Sequence, residues 1–352
     1  MDTATAAAQP LPAQAIVMQM AMGAILTKVV NEATRLNIPD LVKAHGPLTV
    51  SEILAKGSID GDASALERVL RACAAAGIFS EDASGRFGPT ELSDVLTVDS
   101  SVSVKKIMEL FGGHIARVVC ELPGSIKTGG PQSRAVFGLD FWDFLNANPK
   151  ELEQFGESMK SNSINSLYGV LEHCDFSGAR HVADIGGGFG HLALALLQKY
   201  PNLQATVLDV PEVIPVALEH LRGGDPAVVE RLEYAGQDMF ESVPPADVYI
   251  MKHIIHDWED EKCIRLLDNC RRSMEGDGRV VCVDAVVPPL GDSSGLPAKL
   301  MDIVMLTFIT GKERTERQWS ALYEAAGLEI HSITPIRDNF GTSIVEGRKR
   351  RG

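Results

Sequence analysis

Two imidazoles and two carboxylates stand where a proton could be taken from a small molecule. The stretch Met251-Lys-His-Ile-Ile-His-Asp-Trp258 carries His253 and His256 at the end of an apolar run. A neutral imidazole at the mouth of a sheet is a ready general base near pH 7. His256 is the candidate base; His253 reads as a pocket or packing residue. Two acids lie where they could reach His256: Asp284, in Val281-Cys-Val-Asp-Ala285, and Glu313, in Gly311-Lys-Glu-Arg-Thr-Glu316. A carboxylate on one ring nitrogen fixes the tautomer and leaves the other nitrogen free to accept a proton. Asp257, Glu259, Asp260 and Glu261 could suggest a metal site. They read better as acids in the first turn of a helix, where the macrodipole favours them.

The second chemical group is the glycine cluster in His181-Val-Ala-Asp-Ile-Gly-Gly-Gly-Phe-Gly190, followed at once by an apolar helical stretch. Strand, tight turn and helix present backbone N–H groups to a ligand at a helix N-terminus. A dinucleotide fingerprint G-x-G-x-x-G would need glycine at position 191, which is His191; the spacing present is Gly186-x-Gly188-x-Gly190. The next strand, Gln204-Ala-Thr-Val-Leu-Asp209, ends in an acid that can accept hydrogen bonds from both ribose hydroxyls of a nucleoside. No lysine and no G-K-[ST] accompany the loop, so the ligand expected is a nucleoside without a pyrophosphate, and S-adenosylmethionine (SAM) fits best. In Gly236-Gln-Asp-Met-Phe240, Asp238 could hold the adenine amino group with Met239 packed on the ring, or Asp238 simply begins a turn. The sulfonium methyl of SAM is already activated. A phenol with pKa about 10 is ionised in roughly one molecule per thousand at pH 7, so the protein must supply a deprotonated acceptor and an in-line approach. One oriented imidazole suffices, and no metal is needed.

These groups need a sheet to hold them. Strand-like segments at 181–186, 204–209, 232–236, 246–252 and 279–286 alternate with helix-like ones at 192–200, 213–221 and 261–274. That alternation predicts an α/β, Rossmann-like, doubly wound and mostly parallel sheet with ligands at the carboxyl ends of its strands. A helix at 319–326, whose start Thr315 and Gln318 could cap, and strands near 328–335 and 342–347 complete it. Upstream, helical spacing runs from about 15 to 36, Thr49 and Glu52 form a capping box, and a third helix covers 64–76 up to Gly77. A hairpin over 78–88 follows, the pattern of a winged helix. Its recognition helix carries only Glu67, Arg68 and Arg71 as charges, so a dimerising role is preferred to DNA binding. The expected division is a winged-helix-like dimerisation domain over 1–100, a helical linker region contributing to an acceptor pocket over 101–172, and a SAM-binding catalytic domain over 173–352. Residues 1–14 read as disordered.

Composition bounds the partners. With 47 acidic and 33 basic residues the formal charge is −14, which opposes a phosphate-backbone partner. The six cysteines show no paired spacing, as expected of free thiols in the cytoplasm. The N-terminus lacks a basic n-region, and no run of 18 apolar residues appears, so neither a secretory signal nor a membrane partner is expected. The basic tail Arg348-Lys-Arg-Arg351 reads as solvated.

Together these stretches resemble the SAM-dependent, cation-independent O-methyltransferases that act on small aromatic molecules, the caffeate-type plant enzymes and bacterial antibiotic-tailoring relatives. The resemblance spans nearly the whole chain, from Leu36-Asn-Ile-Pro-Asp-Leu41 to Gly311-Lys-Glu-Arg-Thr315, and is most specific over 182–190, 236–240 and 251–258. It implies methyl transfer to a hydroxyl of a phenolic or polyketide-like acceptor. His256 takes the position of the family's base and Glu313 that of a flanking carboxylate, with Asp284 completing the candidate catalytic set. Gly186, Gly188, Asp209, Asp238, Met239 and Lys252 form the expected SAM site. Phe155, Met159, Met305 and Phe308 fall where the family lines SAM or the acceptor ring, though each also reads as core, and His253 stands beside them. The family implies a homodimer whose N-terminal domains interlock and contribute to the partner's acceptor pocket. The chain departs from the plant pattern at Asp284, where glutamate is usual, at His253, where tryptophan is usual, and in a shorter 306–311 segment. Two alternatives stand beside this reading: a SAM-binding relative that hydroxylates or decarboxylates a natural product, and a ligand-sensing winged-helix regulator.

Overall fold

A computed structural model describes residues 11–336 and 340–350, leaving out the side chains of 160–165. Residues 1–10 of the expected disordered segment, and Arg351 of the basic tail, lie outside the described residues. Packing divides the chain into two compact units, Met1–His114 and Ile115–Gly352. By this partition residues 101–114 group with the first unit and 115–172 with the second.

The first unit opens with a helix from Ala13 to Arg35, started after Pro12, whose ring sets a backbone angle compatible with helix entry. Its buried residues, Val30, Asn31, Ala33 and Thr34, are confined to its last two turns. Upstream Val17, Met18, Met20, Met22 and Ile25 are exposed. The helix is apolar and long enough, by length and composition alone, to cross a membrane. No strictly apolar run of 18 residues is present, as expected, because Gln14, Gln19, Thr27 and Lys28 interrupt it; the helix passes on its mean hydropathy, a test that core helices of soluble proteins also pass. Three shorter helices follow, Ile38–His45, Val50–Gly57 and Ala63–Ala75. The second of these begins with the expected capping box, Thr49 N–H donating to Glu52 Oε2 at 2.8 Å while Glu52 N–H donates to Thr49 Oγ1 at 3.3 Å. Such a cap stabilises a helix start by about 1 kcal/mol. Strands β1 (Ser80–Glu81) and β2 (Phe87–Gly88) form the hairpin, and Phe79 and Phe87 bury against Ile38, Val42, Ile53 and Leu70.

The second unit carries the sheet: β3 (His181–Ile185), β4 (Gln204–Asp209), β5 (Leu232–Gly236), β6 (Ala246–Lys252), β7 (Met274–Val287), β8 (Arg314–Thr315), β9 (Leu328–Pro335) and β10 (Thr342–Lys349). The order is β5-β4-β3-β6-β7-β10-β9, with β8 paired to β7; β10 alone runs antiparallel to its neighbours β7 and β9. Val182 to Ile185 are all buried, the continuous apolar run of a parallel strand covered on both faces. Helices Asp260–Ser273 and Glu316–Ala325 cover one face through Cys263, Leu266, Leu267, Trp319 and Tyr323. Helices Pro149–His173 and His191–Lys199 cover the other through Val170, Leu192 and Leu196. The sheet therefore aligns the carboxyl ends of β3, β4, β5, β6 and β7, where the glycine loop and the histidine segment emerge.

Candidate active site

The glycine loop forms directly from β3. Gly186, Gly188 and Gly190 all lie at positive φ (65°, 56° and 78°), a turn that side chains resist. A Cβ on Gly186 would sit 2.4 Å from Ile254, whereas one on Gly188 would meet nothing within 4 Å. Both positions favour glycine for backbone shape; at Gly186 the tip of Ile254 would also have to move, while Gly188 stands beside open space. Asp209 closes the cradle from the end of β4. Its carboxylate accepts from Gly188 N–H at 2.8 Å and from Val210 N–H at 2.8 Å, and burial pushes its pKa upward. Behind the loop, burial pushes Asp184 up to about 7, and its Oδ2 has no hydrogen-bond donor.

Asp238 is exposed and accepts from Phe240 N–H at 2.8 Å, closing a turn. Met239 is half-buried against the sheet's core. Lys252 ends β6; burial lowers its pKa while the charges of Asp184 and Asp284 oppose that shift. The glycine turn, the Asp209 carboxylate and the clear space at Gly188 suit a nucleoside whose ribose binds carboxylate and whose tail lies along the loop.

His256 lies in a short 3-10 turn, Ile255–Asp257, just beyond β6. Its Nδ1 and Glu313 Oε1 are 2.8 Å apart, both groups buried. A carboxylate can only accept, so Nδ1 carries a hydrogen, and in the neutral ring Nε2 is the nitrogen whose lone pair can take a proton. Asp284, one methylene shorter than the usual glutamate, stops 3.7 Å from His256 Nδ1, beyond hydrogen-bond reach. Asp257 Oδ1 lies 3.4 Å from Nε2. Burial works against a charge on the His256 ring, but Glu313, Asp284 and Asp257 outweigh it and raise the ring to about 10. Burial likewise pushes Asp257 to about 7 and Asp284 to about 6. In so dry a place Asp257, Asp284 and His256 compete for protons rather than all carry charge.

The turn is fixed from across the sheet. Fully buried Arg314 donates to Ile255 O at 2.9 Å and Trp258 O at 2.8 Å, and pairs with Asp260 at 2.8 Å. Gly311 backs onto the His256 carbonyl so closely that a Cβ there would fall 1.8 Å from the oxygen. Thr315 and Gln318 form the expected capping box of the next helix, which anchors this segment.

A cluster of aromatic rings packs beside the histidine turn. Phe155 and Phe308 join it through Phe141, at ring distances of 5.3 and 4.3 Å. Trp142 lies 5.8 Å from Phe155 and stacks at 6.3 Å on Trp258, two residues past the base. Met305 is buried one turn before Phe308, and Met159 is half-buried one turn after Phe155. His253 adopts φ 55° and its ring centre stands 5.4 Å from that of His256. Asp257, Arg314, Phe141 and Trp142 were not singled out as site residues from sequence. Asp257 looked like a helix-start acid, although the helix begins at Asp260. The Phe141-Trp142-Asp-Phe144 cluster was a visible signal without a polar group to give it meaning.

Comparison with known proteins agrees with this geometry. The O-methyltransferase domain family matches residues 120–329, and the O-methyltransferase dimerisation domain family matches 18–99. The chain is 32% identical to a phenazine O-methyltransferase of Lysobacter antibioticus over 96% of this chain and 97% of that one. Human N-acetylserotonin methyltransferase, solved in complex with SAM, superposes with a TM-score of 0.87 at 25% identity, covering 98% of this chain and 100% of that one. An O-methyltransferase from neocarzinostatin biosynthesis, solved with SAM and 2-hydroxy-5-methyl naphthoic acid, gives 0.78 at 29% identity over 93% and 96%. The chain belongs to the O-methyltransferase family and is a SAM-dependent methyltransferase.

Proposed function

We propose that this enzyme transfers a methyl group to a hydroxyl of a small aromatic acceptor, phenolic or polyketide-like, with His256 as the general base. The buried 2.8 Å contact between His256 Nδ1 and Glu313 carries this reading, because it fixes the tautomer that can take a proton at Nε2. When bound, SAM supplies a methyl activated on a sulfonium, whose positive charge also opposes an imidazolium in the same dry pocket. Gly186, Gly188 and Asp209 hold the nucleoside; Asp238, Met239 and Lys252 stand at neighbouring strand ends. Phe155, Met159, Met305 and Phe308, with Phe141, Trp142 and Trp258, clamp a flat ring and exclude water, and His253 borders them. Glu313 orients the base, and Asp284 adds negative charge behind it. The phenazine and naphthoic acid named for two relatives support an aromatic acceptor.

The first unit acts as a winged-helix-like dimerisation domain, supported by the matched family over 18–99 and by the exposed apolar face of its first helix. The working form is a homodimer. Its six free thiols, five of them buried, suit the reducing cytoplasm.

The test is transfer of isotopically labelled methyl from SAM to catechols, phenolic acids, flavonoids and polyketide phenols, with His256→Ala alongside. Wild type should label a phenol, and the variant should lose roughly 10²–10⁴ of that rate. A variant that keeps the wild-type rate removes the base assignment; a wild type that binds SAM but labels none of the panel removes the phenolic acceptor.

A further inference from the structure

The left-handed backbone of His253 has a chemical consequence. Its N–H donates to Val283 O at 3.0 Å, which turns the residue back over the end of β7. There His253 Nδ1 lies 3.7 Å from Asp284 Oδ1, and His256 Nδ1 lies 3.7 Å from the same oxygen. The ligand-capable atoms of the three residues all fall within 4.8 Å of one another. Ligands holding one first-row ion at about 2.0–2.2 Å stand roughly 3–4 Å apart, so small side-chain rotations suffice to close the set. Asp284 is completely buried, and beyond a long approach of the Ile255 N–H its oxygens have no hydrogen-bond donor among the described residues. A buried carboxylate so poorly supplied with donors is costly, and a cation shared with two imidazoles relieves that cost. Two nitrogens and one carboxylate oxygen favour Zn²⁺ and its first-row neighbours over Mg²⁺ or Ca²⁺.

We propose that His253, His256 and Asp284 form an inhibitory site for a divalent transition-metal cation, Zn²⁺ foremost. A neutral imidazole carries a single N–H. A cation on Nδ1 of His256 takes the place of that hydrogen, which moves to Nε2, so the atom that must accept a proton already bears one. If the ring is an imidazolium, one proton leaves to solvent on binding. Glu313 is then released from its hydrogen bond to the ring. Binding rests on the ligand geometry alone; only its inhibitory effect rests on the reading of His256 as base.

The full-length enzyme is titrated with Co²⁺ followed by absorption spectroscopy, and with Zn²⁺ by equilibrium dialysis. His253→Ala and Asp284→Asn are run in parallel, with SAM binding as the check on folding. One equivalent should bind with a visible ligand-field band and no thiolate charge-transfer band in the near ultraviolet. Affinity should fall in each variant by at least the roughly 10–100-fold that loss of an outer-shell partner costs a metal site. Zn²⁺ should abolish methyl transfer, and a chelator should restore it. A thiolate band, or equal affinity in wild type and His253→Ala, overturns the site; the wild-type spectrum decides even where a variant fails to fold. Full activity with Zn²⁺ bound at this site overturns the inhibition and the base reading together, while leaving the ligand set in place.

Discussion

At the scale of single residues, the site is a proton-sharing cluster whose behaviour depends on which member carries charge. Glu313 both orients His256 and, through its charge, helps hold the ring's pKa up. In Glu313→Gln the negative charge is gone, so the imidazolium loses stabilisation and the ring releases its proton at lower pH. The acidic limb of the kcat/KM profile should therefore move down the pH scale. The plateau should fall roughly 10²-fold or more, because an amide can present either donor or acceptor and no longer enforces one tautomer. A profile unmoved on its acidic side would separate Glu313 from the base. Most of this set was legible as residue types. His256 stood out as an imidazole just past a strand end, and Glu313 as an acid ahead of a capped helix in a segment that the family resemblance singles out. Asp257 did not, because an acid just before a helix has a structural use that sequence cannot distinguish from a chemical one.

Between elements, the histidine turn is a tertiary product. The strand ends place His256 near the cofactor cradle, but Arg314 and Gly311, more than fifty positions later, fix its backbone. Arg314→Met keeps the volume but removes the guanidinium from the carbonyls of Ile255 and Trp258, leaving them the longer contacts of Trp258 N–H and Cys263 Sγ, at a cost of about 1–3 kcal/mol each. For a domain of this size that corresponds to a melting temperature lower by about 4–24 °C. Calorimetry should show that drop, and kcat should fall while SAM affinity holds, since Asp209 and the glycine loop lie elsewhere. Unchanged melting would mean that water replaces the guanidinium without loss. The parallel sheet itself was readable from periodicity and glycine spacing, and most strand ends fall within a residue or two of expectation. The exception is β7, which starts at Met274 rather than 279 because Gly276 and Gly278 interrupt the apolar pattern while the strand continues. The aromatic cluster was less legible, since Phe141 and Trp142 gain a role only when the helix Phe141–Ala147 meets Phe308 and Trp258.

For the whole molecule, the first helix sets the expected assembly. Met20 and Ile25 are 72% and 58% exposed within one chain, apolar area that a second copy would cover. The double variant Met20→Glu, Ile25→Glu should shift sedimentation from dimer to monomer and leave the SAM affinity of the second unit intact. A dimer that persists would place the interface on another face. One feature of the sheet reaches beyond stability. β10 is last along the chain but lies inside the sheet, hydrogen-bonded on one side to β7 and on the other to β9. During synthesis the segments that bear the cofactor cradle and the histidine turn emerge first, while β7 keeps an open edge until residues 342–349 arrive. The nascent enzyme thus passes through an interval with an unpaired apolar strand exposed, when edge-to-edge pairing with other chains competes with completion. Expression yield should accordingly depend on translation speed and chaperone supply over the final stretch of the message more than on substitutions in the site itself.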